Sequence, residues 1–133
     1  MKRTNVFIAF LLCAIVVSIS SCTKKQTALN NLLGTWAYQS VIPGGSSTSI
    51  PASVAGLQTL TFQACAATNT YCQGTITISQ SASNFQYKMN DAGTVVSVVN
   101  SDNSTDTYNI NTLDSHNLVY TQASSGNKFT LTK

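Results

Sequence analysis

The sequence predicts an all-β protein, and three observations support that fold class. Most of the strand-like stretches after residue 33 are rich in Thr, Val, Ile, Tyr and Phe, and these residue types favour strands. Apolar side chains recur at every second position, as at Leu60 and Phe62 or Ile76 and Ile78. From Gly74 onward, strand-like stretches begin about every 9 to 12 residues, the interval typical of a sandwich or barrel.

Short turn signals separate most of the predicted strands. Connections this short join antiparallel neighbours, so we expect an up-and-down meander. The turn signals include Ala82-Ser83-Asn84, Asp91-Ala92-Gly93, Ser101-Asp102-Asn103, Asp114-Ser115 and Ser124-Ser125-Gly126-Asn127. The eight predicted strands are GTWAYQSVI, LQTLTFQA, GTITISQS, FQYKMN, TVVSVVN, DTYNIN, NLVYTQ and KFTLTK.

We expect these eight antiparallel strands to close into a barrel. A flat sheet would leave two unpaired edges, which closure removes. An immunoglobulin-type sandwich needs sheet-bridging cysteines far apart in sequence, whereas Cys65 and Cys72 are close together. Ahead of the first strand, Leu29, Leu32 and Leu33 have helical spacing, so residues 27–33 are predicted to form a short N-terminal helical turn.

The first 21 residues have the three parts of a secretory signal peptide. Lys2 and Arg3 supply the positive start, residues 6–19 are almost wholly apolar, and Ser20 and Ser21 are small. The apolar run is shorter than the roughly 20 residues that a membrane-spanning helix needs, which disfavours the alternative of a permanent transmembrane anchor.

The sequence Ile19-Ser20-Ser21-Cys22 resembles the bacterial lipobox. This resemblance implies lipid attachment to the Cys22 sulfur, cleavage before Cys22 and acylation of the new amino terminus. Several acyl chains hold a protein stably on a membrane, whereas one chain does so only marginally. We therefore expect a lipoprotein of the bacterial outer membrane that faces the periplasm or the cell surface. Its parts are a signal peptide (1–21), a lipidated tether (22–28) and a barrel domain (29–133).

After residue 21 the charge of the chain is close to zero. Five lysines oppose four aspartates, and this part contains neither Glu nor Arg. Because a nucleic-acid-binding surface needs a basic stripe to neutralise phosphates, we expect no nucleic-acid partner.

Cys65 and Cys72 flank a polar, turn-forming segment in a chain predicted to be exported. We expect a disulfide across this loop, which contributes about 2 kcal/mol in the chain-entropy model. The alternatives are two free thiols or a weak metal pair. His116 is far along the chain from both cysteines, so we expect no metal site.

The stretch LLGTWAYQS resembles the start of lipocalins, in which Gly-x-Trp opens the first strand, here Gly34 and Trp36. YNINTLDSHNLVYT and FTLTK look like the closing hairpins of small bacterial lipocalin-like domains. The resemblance implies that Trp36 packs at the closed end of the barrel beside a basic residue, here Lys128 or Lys133. It also implies that the first loop, Pro43–Gly56, acts as a lid over the mouth; the alternative is a disordered surface loop with no role.

The lipocalin resemblance implies a binding protein for a small apolar or amphipathic ligand. Aromatic side chains of the strands are the candidate pocket residues, although the same rings would also simply fill a small barrel. The competing function is a structural or interaction lipoprotein with a filled barrel that binds a protein or a glycan. The candidate residues are Tyr38, Phe62, Phe85, Tyr87, Tyr108 and Tyr120.

The sequence offers little for catalysis, and we expect no enzyme activity and no cofactor. Asp114, Ser115 and His116 group three catalytic residue types, but neighbours in one turn do not form the relay of a triad. As turn residues, Asp114 and Ser115 are explained by local hydrogen bonding.

Overall fold

The computed structural model describes residues 23–133, which contain one helix over residues 23–32 and nine antiparallel strands. β1 pairs with both β2 and β3, each strand from β3 onward pairs with the next, and β1 also pairs with β9, which closes the sheet. No helical stretch among these residues has the length and apolar character needed to cross a bilayer. The strands are β1 (Gly34–Ile42), β2 (Ile50–Pro51), β3 (Leu57–Phe62), β4 (Cys72–Ile78), β5 (Ser81–Met89), β6 (Val95–Asn100), β7 (Thr105–Leu113), β8 (Asn117–Gln122) and β9 (Lys128–Thr132).

The closed sheet is an eight-stranded barrel with one short addition. β2 has only two residues, which pair with Ser40 and Val41 of β1. β3 pairs with the earlier part of β1, from Gly34 to Ala37, so β2 extends the line of β3. The predicted all-β, eight-stranded antiparallel barrel is therefore confirmed.

Because the strands alternate in direction, the connections gather at two ends of the barrel. The helix end carries residues 23–32 and the connections 63–71, 90–94 and 114–116. The loop end carries the connections 43–56, 79–80, 101–104 and 123–127.

Alternating side chains of the strands fill the inside of the barrel. Trp36, Leu60, Leu118 and Leu131 have no exposed surface, and full burial of one such side chain contributes about 1.5–3 kcal/mol. One contact is so close that it requires glycine. A Cβ atom on Gly74 would lie 2.2 Å from the Phe85 ring.

The turn between β4 and β5 differs from the sequence prediction. The predicted turn at residues 82–84 is wrong, because β5 already begins at Ser81, which pairs with Ile78. The chain reverses at Ser79 and Gln80, with φ angles of 47° and 67°. Positive φ at both central residues is the geometry of a type I′ hairpin, which matches the twist of the flanking strands. Neither residue is among the usual residues of such turns, so no local pattern predicted the turn there.

The helix also begins earlier than the predicted turn at residues 27–33. Residues 23–28 lie within the helix, which is docked on the barrel rather than forming a separate tether. The Lys25 ammonium lies 3.5 Å from the Asp91 carboxylate. Gln26 donates to the Cys65 carbonyl at 3.3 Å and accepts from the Ala67 N–H at 2.8 Å. The predicted signal peptide and Cys22 lie outside the described residues.

Candidate functional site

Trp36 closes the helix end of the barrel. Its ring is fully buried, and its Nε1–H donates to the Leu32 carbonyl at 2.7 Å. The Lys133 ammonium lies 4.2 Å from the centre of the ring. That ammonium also donates to the Asn31 carbonyl at 2.7 Å, and partial burial lowers the Lys133 pKa. Of the two lysines suggested for this place, Lys133 occupies it and Lys128 does not.

The six candidate pocket residues are all buried inside the barrel. The most exposed of them, Tyr108, keeps 8% of its surface accessible, and Tyr87 keeps none. A ring that lined a space large enough for water would keep more of its surface accessible. The six rings are those of Tyr38, Phe62, Phe85, Tyr87, Tyr108 and Tyr120.

The candidate rings form two contact groups. In the first, Tyr120 stacks between Tyr108 and Phe129, with ring centres 4.5 and 5.0 Å away. Tyr38 meets Phe129 edge to face, and the Tyr38 and Tyr120 hydroxyl groups lie 2.9 Å apart in a hydrogen bond. The polar tips therefore satisfy one another inside the barrel.

The second contact group joins Phe62, Phe85 and Tyr87. Phe62 meets Phe85 and Tyr87 edge to face, at 5.7 and 5.0 Å between ring centres. The Tyr87 hydroxyl donates to the Gln63 carbonyl at 2.7 Å. Edge-to-face pairs of this kind add about 0.5–1.5 kcal/mol beyond area burial. The six candidates thus fill the core, which is the alternative that the sequence left open.

Burial makes the tyrosine hydroxyls of the interior hard to ionise. Desolvation raises the pKa of Tyr87 to about 12. Desolvation and the nearby charge of Asp106 raise the pKa of Tyr108 to about 12. The pKa values of Tyr38 and Tyr120 are also raised, chiefly by desolvation. These hydroxyls stay protonated at physiological pH and act as hydrogen-bonding groups.

The long first loop, predicted as a lid, divides into two parts at the loop end. Residues 44–49 are exposed, and the Gly44 N–H donates to the Asn127 side chain at 2.9 Å. In the second part, Ala52 is buried in the core and Ile50 packs against it. The second part is therefore fixed to the barrel, and the exposed first part touches the turn between β8 and β9.

Asp106 organises polar contacts at the loop end. Its carboxylate accepts hydrogen bonds from the Gln122 side chain and from the Ser124 hydroxyl, the latter at 2.8 Å. Burial opposes ionisation of Asp106, but these hydrogen bonds, with one from the Thr107 N–H, leave its pKa below the usual value. The carboxylate therefore links β7 to the end of β8 and the turn after it through hydrogen bonds.

A cleft of about 660 Å³ lies at the helix end, outside the barrel interior. Residues of the helix and of the turn between β5 and β6 line it, beside the point where these two elements meet. Gly93 has a φ of +73°, and a Cβ atom there would lie 2.7 Å from the Ala28 Cβ, so the turn approaches the helix closely. The residues that line the cleft are Thr23, Lys24, Thr27, Ala28, Asn31, Ala92, Gly93 and Leu113.

Cys65 and Cys72 are joined by a disulfide in the structure, with their Cα atoms 5.6 Å apart. The bridge closes the connection between β3 and β4. That connection presents the Cys65 carbonyl and the Ala67 N–H to Gln26 of the helix. The disulfide thus supports the loop on which the helix docks.

Asp114, Ser115 and His116 form a turn whose hydrogen bonds are local. The Asp114 carboxylate accepts from the backbone N–H groups of His116 and Asn117, both at 2.8 Å. The His116 ring pairs instead with the Ser115 hydroxyl at 2.7 Å. The carboxylate therefore does not orient the imidazole, as a catalytic triad requires. Residues 23–133 contain no cluster of three metal-binding side chains.

Comparison with known proteins supports the fold. The chain resembles the crystal structure of a lipocalin-like protein from Bacteroides uniformis ATCC 8492, with a TM-score of 0.53 and 15% sequence identity. The alignment covers 77% of this chain and 98% of that one. No family model matches the sequence, and no curated protein matches it. The chain is therefore a lipocalin-like barrel in fold.

The predicted aromatic residues come together in the structure, and so do the two predicted cysteines. The aromatic residues, however, do not line an open pocket. The sequence did not predict the cleft at the helix end. Its walls come from the helix, the β5–β6 turn and Leu113, which are up to about 90 residues apart in sequence. The available signal was the Asp91-Ala92-Gly93 turn, but a turn signal does not say what packs against it.

Proposed function

We propose that this chain is a non-enzymatic, lipid-anchored binding protein of the bacterial envelope that binds a protein partner through the loop end of a filled barrel. The packed interior carries this proposal, because the rings expected to line a pocket contact one another instead. A filled barrel leaves its outer surface and loops for recognition.

The lipid anchor on Cys22 is supported by the sequence before it, in which a short apolar run ends in Ile19-Ser20-Ser21-Cys22. We place the protein at the outer membrane. Mass spectrometry of the amino-terminal peptide from purified protein tests the anchor. The expected peptide begins at Cys22 and carries three acyl chains. A Cys22→Ala variant that is still processed and still fractionates with membranes would contradict it.

The loop end has the features of a partner surface. Val54 is 75% exposed and Ile78 is 40% exposed, so both present apolar surface to solvent. The Ser79 N–H donates to the Gly56 carbonyl at 2.8 Å, so the segments that carry these two residues are adjacent. Apolar side chains within a polar rim are typical of the centre of a protein interface.

Crosslinking in intact cells tests the partner surface. The double variant Val54→Asp, Ile78→Asp should lose a partner that the wild-type protein captures, while its unfolding midpoint stays close to that of wild type. Gln86→Asp introduces one negative charge at an exposed site on the outer face of β5, away from the loop end, and should keep the partner. Equal capture by all three proteins would contradict a partner site at the loop end.

A second candidate function is the binding of a small amphipathic ligand inside the barrel. Its support is that a lipocalin-like barrel fold suggests ligand binding in general. Native mass spectrometry of protein taken from its own envelope separates the two functions. A co-purifying small molecule that is lost on Tyr108→Leu substitution would favour the carrier.

A further inference from the structure

The cleft at the helix end differs from the barrel interior, because it is open and has its own apolar wall. Ala28 and Leu113 contribute side chains that also pack against the core, and Ala92 contributes an exposed methyl group from the β5–β6 turn. Its volume of about 660 Å³ lies within the range of small-molecule sites, roughly 300–1,000 Å³.

We infer that this cleft holds one acyl chain of the lipid carried by Cys22. The inference rests on the lipid anchor of the proposed function and adds where one of its chains goes. The occupant is the lipid attached to this chain, and not a free membrane lipid.

Chain reach is the first argument. Thr23 belongs to the wall of the cleft, and Cys22 is bonded directly to it. Neighbouring Cα atoms are only about 3.8 Å apart, so a lipid on Cys22 begins at the cleft. A group held this close to a site is present at a high effective concentration, which favours it over free lipids.

The docked helix is the second argument. Its contacts with Asp91 and with the loop after β3 hold the first turn on the barrel, so little free chain separates Cys22 from the domain. Lys24 also lines the cleft and is exposed, which places a positive charge where an anionic lipid headgroup would lie. The helix end would then face the membrane, and the loop end would point away from it.

Photo-crosslinking of the full chain tests this inference. Cells that express the protein are fed a fatty acid bearing a diazirine, irradiated, and the crosslinked peptides are identified by mass spectrometry. We expect the Cys22-linked acyl chain to crosslink within the same molecule to residues 90–94 and to Leu113. Ala92→Asp puts a charge into the apolar wall and should reduce that crosslink several-fold. Ala55→Asp makes the same change at an exposed position of the loop end and should leave it unchanged.

The outcomes separate this inference from the anchor. If the label is absent from the amino-terminal peptide, the lipid anchor itself fails. If the label is on Cys22 but crosslinks only to membrane lipids, the anchor stands and the cleft assignment is wrong. If the Cys22→Ala protein is labelled equally at residues 90–94, a free lipid occupies the cleft, which overturns the assignment to Cys22. If residues of the leader crosslink there in that variant, the cleft binds peptide rather than acyl chain, and the inference is also wrong.

Discussion

At the helix end of the barrel, parts of the chain that are far apart in sequence meet around a buried ring, whereas at the loop end several turns and the first part of the long loop are exposed. At the helix end, the last residue, Lys133, reaches the carbonyl of Asn31 and the ring of Trp36. At the loop end, Ser104 bonds to Asp102 and Asn100 within one turn. Burial of a large ring therefore fixes the centre of the helix end, whereas residues 44–49 at the loop end are exposed.

This difference shows how a small barrel separates stability from recognition. Fully buried side chains such as Trp36 and Leu32 contribute to the stability of the helix end. Residues 44–49 and Val54 are exposed, so changes there remove few contacts. Substitutions in a partner surface cost less stability where the fold does not depend on the substituted residues.

The largest expected effect is at the centre of the helix end. Trp36→Ala should lower the free energy of unfolding by about 3–5 kcal/mol, because it removes a large buried ring and leaves a cavity. Urea unfolding measures the change. The matched control is Val54→Ala at the loop end, which should stay within about 0.5 kcal/mol of wild type. A similar cost for both variants would contradict the proposed division between the two ends.

Two glycines with nearly the same backbone angle sharpen the comparison. Gly93 at the helix end and Gly45 at the loop end have φ values of +73° and +78°. An alanine at either position carries the left-handed strain, about 1–2 kcal/mol. At Gly93 the added Cβ also meets Ala28 at 2.7 Å, whereas at Gly45 it meets nothing within 4 Å. Gly93→Ala should therefore cost about 1–3 kcal/mol more than Gly45→Ala. Equal unfolding midpoints for the two variants would show that the turn does not press on the helix.

The buried tyrosines predict a loss of stability at alkaline pH. An unfolded tyrosine loses its proton near pH 10, whereas burial raises the pKa of Tyr87 and Tyr108 to about 12. Between these values the unfolded chain binds fewer protons than the folded one. The contribution of these tyrosines to the free energy of unfolding should therefore be constant below about pH 10 and fall above it, by up to about 1.4 kcal/mol per pH unit for each tyrosine.

Tyr108→Phe should make this alkaline decrease shallower, because it removes one of the groups that titrate only on unfolding. Urea unfolding at a series of pH values from 8 to about 12 measures both slopes. If the variant and the wild-type protein lose stability with the same slope, Tyr108 does not contribute as its burial implies.

The smallest expected effect is in the first loop. Deleting residues 46–49 should change the free energy of unfolding by less than about 1 kcal/mol, because closure entropy depends weakly on loop length. A matched deletion of residues 52–55 should cost clearly more, since it removes the buried Ala52. Thermal unfolding of the two variants makes the comparison, and a large loss from the first deletion would show that the exposed part is structural.

The sequence by itself determined the strands and the way they connect. Alternation such as Leu60 and Phe62, together with short turn signals, predicted eight antiparallel strands because side-chain periodicity and turn chemistry are local properties. Cys65 and Cys72 were also predictable as a pair, because they lie seven positions apart across one loop. The lipid anchor on Cys22 remains a prediction from sequence.

Only the tertiary structure decided whether the barrel is open or filled. That outcome depends on how the ring volumes of Tyr38, Phe62 and Tyr120 fit together across strands far apart in sequence, and no local pattern reports that fit. The turn at Ser79 and Gln80 was decided in the same way. Two residues that lack a local preference for positive φ adopt it because the pairing of β4 with β5 requires a tight reversal there.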